Sequence, residues 1–209
     1  MPGLVGVVLC GGHSRRMGRD KGLFPGPEGV TTWAGRALSL LRDCGLDAIV
    51  SVREAQLARY EALLGPENFV VDREVEGGGP LSGFAAAHAR RPNCDLLMLA
   101  CDMPDLDRDL LSPLLAAYAQ LSPRQRGIHA IAFNTEPPEP LCAIYGRLVL
   151  DRLMKYRAPK AILLGENVLR IPIPPDQRHK LHSKNDAAAL QDGPSPGTEG
   201  LQTYQHRRE

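Results

Sequence analysis

The chain has 209 residues, 43% of them hydrophobic and 23% charged, a globular composition that excludes a wholly disordered polymer and predicts one domain able to bury a real core. Its 25 Lys and Arg against 24 Asp and Glu leave a formal charge of +1, so the overall balance makes no case for nucleic acid or an anionic membrane as a partner. Aromatic residues, at 5%, are too few for a single-strand stacking platform, and no apolar run approaches the ~20 residues that span a bilayer.

In chain order, Leu4–Leu9 reads as a strand buried on both faces, ended by Gly11-Gly12. A loop rich in Gly and Arg runs on to Lys21. Apolar residues from Trp33 to Leu41 recur at helical spacing, with Thr31 or Thr32 as cap and Gly45 as stop. Ala48–Val52 is a second strand, Ala55–Leu64 a short helix closed by Gly65-Pro66, and Phe69–Val71 a third strand. The tight loop Gly77–Gly83 leads into a helix over Phe84–Arg90. Asp95–Ala100 is the strongest strand and ends at Cys101-Asp102. Leu110–Leu121 is helical. Ala130–Phe133 and Cys142–Tyr145 bracket a Pro-rich turn, an antiparallel excursion. Leu148–Tyr156 reads as helix and Val168–Ile171 as a last strand. Residues 191–209, polar and Gly/Pro-rich, read as a flexible C-terminal tail to a single domain over 1–190.

Strand and helix alternate through most of the first 120 residues, which predicts an α/β fold of βαβ units on a mostly parallel sheet. The start, Met1–Cys10, has no basic segment before its apolar run and does not read as a secretory leader. Five cysteines, an odd number without CxxC spacing, argue against a zinc cage or a disulfide framework. They favour a reduced cytoplasm.

Ligands of open α/β sheets bind outside the carboxyl ends of the strands. Two features fall there. In Leu9-Cys10-Gly11-Gly12-His13-Ser14-Arg15-Arg16-Met17-Gly18-Arg19-Asp20-Lys21, glycines let backbone N–H groups close on a phosphate and Arg15, Arg16 and Lys21 add positive charge. It is neither a Walker A loop nor a Rossmann GxGxxG. Asp102, at the end of the 95–100 run, is placed to hold Mg²⁺, which uses one or two carboxylates together with substrate phosphates. Taken alone, it better suits a turn or helix cap, and the basic glycine loop at the same sheet edge shifts the balance towards the metal. His13 and His88 read as loop and helix-surface residues, and Trp33, Cys10 and Cys101 as packing.

The pattern L-x-G-G-x-S-x-R-M-G-x-D-K over Leu9–Lys21 resembles the molybdenum cofactor guanylyltransferases. Asp72 with Gly79-Pro80-Leu81-Ser82-Gly83, Cys101-Asp102-Met103-Pro104 and Glu139–Tyr145 are similar to that family's further segments. Ser51 stands where the family often has Asn, and Ser183-Lys184-Asn185-Asp186 keeps only the second Asn of its N-x-N-T-P segment.

The resemblance implies a single Rossmann-like three-layer α/β/α nucleotidyltransferase domain that moves GMP from GTP to molybdenum-molybdopterin, releasing pyrophosphate. It implies that Leu9, Cys10, Gly11, Gly12, Ser51, Asp72 and Gly79 receive GTP, with Asp72 by the guanine. Lys21 would bind phosphate and stabilise the leaving pyrophosphate. Asp102 would hold Mg²⁺ bridging the phosphates, and Arg16 completes the candidate catalytic set. Asn185 would orient the pterin. Transient contact with cofactor-synthesis proteins or molybdoenzymes is expected, and no nucleic acid or membrane partner. Alternatives are a cytidylyltransferase, which usually shows L-A-A-G where this chain has Leu9–Gly12, a sugar-phosphate nucleotidyltransferase, or a non-catalytic nucleotide binder. Gly11 favours guanine by letting the base approach backbone. Lys21 together with Asp102 argues against the non-catalytic reading.

Overall fold

Every apolar run singled out above is a strand of one seven-stranded sheet in the order β3-β2-β1-β4-β6-β5-β7. The structure is a computed structural model that describes residues 3–12, 19–26, 31–65, 69–75, 78–152 and 159–184. The strands are β1 (Leu4–Leu9), β2 (Asp47–Val52), β3 (Phe69–Val71), β4 (Asp95–Ala100), β5 (Ala130–Phe133), β6 (Cys142–Tyr145) and β7 (Val168–Ile171). β1 pairs in parallel with both β2 and β4, and β6 lies antiparallel between β4 and β5. The antiparallel excursion is therefore β6 alone, and every other strand runs in one direction.

The helices are α1 (Trp33–Asp43), α2 (Leu57–Leu64), α3 (Pro80–Arg90), α4 (Arg108–Gln120), α5 (Pro123–Ile128), α6 (Arg147–Leu150) and α7 (Pro159–Leu163). Thr32 caps α1 by accepting from the Gly35 N–H at 3.1 Å, and Gly45 closes it at φ +79°. α3 begins four residues before the expected Phe84, because Pro80 fits the first helical turn, where its missing N–H costs nothing. α4 is capped by Asp107, whose carboxylate accepts from the Leu110 N–H at 2.9 Å, so Asp102 is not needed as its cap. The short α5 was not expected; Ser122 and Gln125 form a capping box at its start. The helix expected over 148–156 is α6, which ends at Leu150. Residues 153–158 and the expected tail 191–209 lie outside the described residues.

Alternate residues of each strand feed two cores. Val8, Val50, Leu97, Leu99 and Ile144 pack with Leu38 and Leu41 of α1 and Leu111 and Leu114 of α4 on one face. Val7, Ile49, Leu96, Met98 and Ala143 pack with Phe84 and Ala87 of α3 and with Ile162 and Leu163 of α7 on the other. This is the three-layer α/β/α arrangement. β4 is buried along its whole length, as a central strand covered on both faces must be. Each fully buried Leu or Ile contributes about 1.5–3 kcal/mol by leaving water. Gly6 of β1 lies under Leu41, where a Cβ would stand 2.7 Å from a Leu41 methyl carbon, so α1 sits close on the sheet.

Connections from β1 run one way to β2 and β3 and the other way to β4. The crevice between the carboxyl ends of β1 and β4 is therefore the topological switch point, where such sheets bind ligands.

Candidate functional site

The chain leaves β1 at Cys10-Gly11 and leaves β4 at Cys101-Asp102. Their register, Leu9 beside Ala100, puts the two exits side by side. A cleft of about 670 Å³ opens there, lined by Gly11, Gly12, Lys21, Asp72, Gly79 and Asp102 among others, a volume suited to a small-molecule ligand. A second, wider hollow continues from Gly11 and Gly12 past Asp72, Arg53 and Ser82.

Lys21 and Asp102, 81 positions apart, meet across this cleft with Nζ donating to Oδ2 at 2.7 Å. Both side chains are 17% exposed, so the pair is half-sheltered yet open to a ligand. The loop after β4 is fixed from two sides. Arg36 of α1 donates to the Pro104 carbonyl at 2.6 Å, and the Lys184 N–H donates to the Asp102 carbonyl at 2.8 Å. The segment next to Asn185 thus lies against the cleft. Asn185 itself, and the loop residues His13–Gly18 with Arg15 and Arg16, lie outside the described residues.

Asp72 follows β3. Its N–H donates to the Val52 carbonyl at 2.7 Å, and its carboxylate accepts from the Ser51 hydroxyl. Burial pushes the Asp72 carboxyl above its ordinary pKa, opposed by the Ser51 bond and the nearby Arg53 charge. Its Oδ2 fills the space that a side chain on Gly11 would need. Gly83 of α3 is equally constrained: a Cβ there would stand 2.6 Å from a Leu9 methyl carbon and 2.7 Å from Ser51 Oγ. Gly78 and Gly79 hold φ of +52° and +56°, which side-chain-bearing residues rarely adopt. The G-P-L-S-G segment is thus a left-handed turn, a helix start and a close approach, and it aims the N-terminus of α3 at the cleft.

The steric argument for Gly11 changes accordingly. Its missing side chain makes room for the Asp72 carboxylate rather than directly for a base. Gly12 faces open space. Gly11→Ala is expected to displace Asp72, lower stability by about 1–3 kcal/mol as overpacking does without unfolding the protein, and weaken nucleotide binding. Titration calorimetry with nucleotide, beside a melting curve, checks this; unchanged affinity would contradict it.

Of the expected backbone contributors, Leu9 and Cys10 line the cleft and also tie it to the fold. The Leu9 carbonyl accepts from the Cys101 N–H at 3.2 Å, the Cys10 N–H donates to the Ser51 carbonyl at 2.8 Å, and the Cys10 carbonyl accepts from Gln56 at 3.2 Å. Ser51 lies on β2 itself and is fully buried; its hydroxyl orients Asp72. Cys10 and Cys101 are buried packing residues, and Trp33 is 3% exposed, its ring centroid 5.3 Å from that of Phe24. His88 pairs with Asp151 at 2.8 Å, on the helix surface. Burial and the Asp102 charge push the Glu139 carboxyl up, and a bond from the Leu141 N–H opposes them.

Among the described residues, no group of three or more His, Cys, Asp or Glu is placed to hold a metal by itself. The Asp102 carboxylate, at the exit of β4 in the cleft, fits a hard cation shared with substrate phosphates and water.

The chain matches the MobA-like NTP transferase domain over residues 6–170. It belongs to the MobA-like NTP transferase family. Within that family it is 32% identical over 157 residues to a probable molybdenum cofactor guanylyltransferase of a Nostoc species, covering 75% of this chain and 72% of that one. Its fold is like that of molybdopterin-guanine dinucleotide biosynthesis protein A from Archaeoglobus fulgidus, with TM-score 0.68, 21% identity and coverage of 89% and 94%. It is also like a Mycobacterium tuberculosis protein solved as a manganese complex, with TM-score 0.60, 20% identity and coverage of 81% and 87%. Gly11, Lys21, Asp72, Gly79 and Asp102, all expected at the site, line the same cleft. Gln56 and Tyr60, which bond to Cys10 and Asp20, belong to no motif in the sequence; an Asp directly before Lys-Gly, in N-cap position, is the signal that points to them.

Proposed function

We propose that the protein transfers GMP from GTP to molybdenum-molybdopterin, giving molybdopterin guanine dinucleotide and pyrophosphate. The observation that carries this is the Lys21–Asp102 pair at the switch point, 2.7 Å apart and open to the cleft. A cation and a carboxylate held there suit a polyphosphate that arrives with a metal ion.

A terminal phosphate oxygen of the pterin attacks the α-phosphorus of GTP, and pyrophosphate leaves. The attacking oxygen is already anionic at neutral pH, so no general base is needed and positioning and charge neutralisation supply the catalysis. Lys21 neutralises charge on the leaving pyrophosphate. Asp102 would hold a divalent cation, assigned as Mg²⁺, which would supply Lewis-acid stabilisation when bound. Gly11, Gly12 and the start of α3 face the nucleotide. Asp72, oriented by Ser51, accepts from the N1–H and N2–H donors of guanine. Asn185, next to the segment docked on Asp102, orients the pterin, and Arg16 adds charge from the loop. Five free thiols suit the reducing cytoplasm, where product passes by transient contact to molybdoenzymes or other cofactor-synthesis proteins.

A polar site built to pair with guanine rejects other bases strongly, because a mismatched base leaves its groups unpaired. Incubation with molybdopterin, Mg²⁺ and each of the four NTPs, following pyrophosphate release, is expected to give GTP the highest kcat/KM. Equal turnover with CTP would overturn the guanine assignment, and release without acceptor dependence would overturn the transfer.

A further inference from the structure

We propose that Asp20, Gln56 and Tyr60 form a clasp that positions Lys21 over Asp102, making all three positioning residues for the transfer. The proposal rests on the reading of Lys21 as the cation that meets the leaving pyrophosphate.

The loop departs at Cys10 and returns at Asp20. One side-chain amide bridges both ends: Gln56 Nε2 donates to the Cys10 carbonyl at 3.2 Å and to Asp20 Oδ2 at 2.5 Å. Gln56 Oε1 accepts from the Arg53 N–H at 2.9 Å, which fixes the way the amide faces. Asp20 Oδ1 accepts from the Tyr60 hydroxyl at 2.8 Å and from the Gly22 N–H at 3.2 Å. Gln56 and Tyr60 are 6% and 0% exposed, so the clasp is anchored in packed structure. Gly22 is part of it, because a Cβ there would collide with the Tyr60 hydroxyl and stand 3.3 Å from Cys10 Sγ.

Lys21 follows Asp20 directly and opens the short 3-10 turn that Asp20 caps. The clasp therefore sets the root and direction of a long, flexible side chain whose tip must reach Asp102. Asp20, Gln56 and Tyr60 do not line the cleft, so their influence passes through Lys21.

A carboxylate is the group this place requires. Three donors converge on Asp20, and an ionised carboxylate only accepts. An Asn would turn its amide donors onto either the Gln56 amide or the Gly22 N–H, neither of which can accept, and Gln56 cannot flip to answer it without losing the Arg53 N–H. The Tyr60 phenol is held far above its ordinary pKa by burial and by neighbouring thiols and Asp20, so it donates throughout the working range of pH.

The test is a double-mutant cycle. Asp20→Asn and Tyr60→Phe are made alone and on a Lys21→Ala background, and kcat, KM for GTP and melting temperature are measured with molybdopterin and Mg²⁺. Asp20→Asn alone is expected to lower kcat about tenfold or more and Tyr60→Phe about threefold, with KM within about twofold, since a transition-state contact is lost rather than uniform binding. On Lys21→Ala, either change is expected to add less than about twofold, because residues acting as a unit are not additive. If Asp20→Asn does not fold, Tyr60→Phe, which keeps the ring, decides alone. Additive losses, or a rise in KM alone, overturn the clasp while leaving Lys21 its role. Undiminished turnover in Lys21→Ala overturns both.

Discussion

Asp102→Ala is expected to abolish turnover nearly completely while the protein still folds. The carboxylate stands at the open end of β4, and the strand's core contacts lie below it. The loop that carries it is held through backbone, by the Lys184 N–H on the Asp102 carbonyl and by Arg36 on the Pro104 carbonyl, and a side-chain truncation leaves those bonds in place. What is lost is the carboxylate that pairs with Lys21 and that would face a cation bound with the nucleotide. Loss of Lewis-acid stabilisation costs several kcal/mol. Asp102→Asn is expected to be almost as inactive, because a neutral amide is a poor ligand for Mg²⁺. Pyrophosphate release under saturating substrates, with circular dichroism to verify the fold, measures both. A variant retaining more than about a tenth of the rate, a loss below ~1.4 kcal/mol, would show that Asp102 does not hold the metal.

Lys21→Ala is expected to lower kcat and kcat/KM together, by about 10²–10³-fold, the scale at which removing one preorganised charge-stabilising group acts. Arg15→Ala and Arg16→Ala are expected to cost less. Lys21 is held by a capped turn and its tip already lies in the cleft, whereas the arginines fall mid-way along the Gly/Arg segment of the sequence, five and six positions before the lysine. Its ammonium is a compact charge on a long stem, able to follow charge onto the departing pyrophosphate. Steady-state kinetics on the three variants separates the cases. If Lys21→Ala raises only KM for GTP, Lys21 serves ground-state binding and an arginine becomes the better candidate for the leaving group.

The sequence by itself determined the α/β class, the strands, and the loop and carboxylate that meet at one sheet edge. These are local signals. A strand buried on both faces is a continuous apolar run, a helix carries its caps and its period, and Gly or Asp directly after a strand announces a ligand-bearing turn. The resemblance carried by Leu9–Lys21 and its companion segments, later matched by the family model over residues 6–170, named the chemistry for the same reason: its residues are contiguous. What only the tertiary structure decided depends on residues far apart in the chain. Gly11 is needed because the Asp72 carboxylate packs against it, which no spacing between positions 11 and 72 reveals. Ser51 gives its hydroxyl to Asp72, and the Cys10 backbone bonds to Ser51 and Gln56, so residues expected at the nucleotide also hold the site together. Gln56 and Tyr60, on an unremarkable short helix and the turn before it, acquire a role only because the sheet order folds α2 behind the loop. Hydrogen bonds are directional and short-ranged, so which donor meets which acceptor is settled by packing; hydrophobic period is a property of the chain alone, and that is the part the sequence could state.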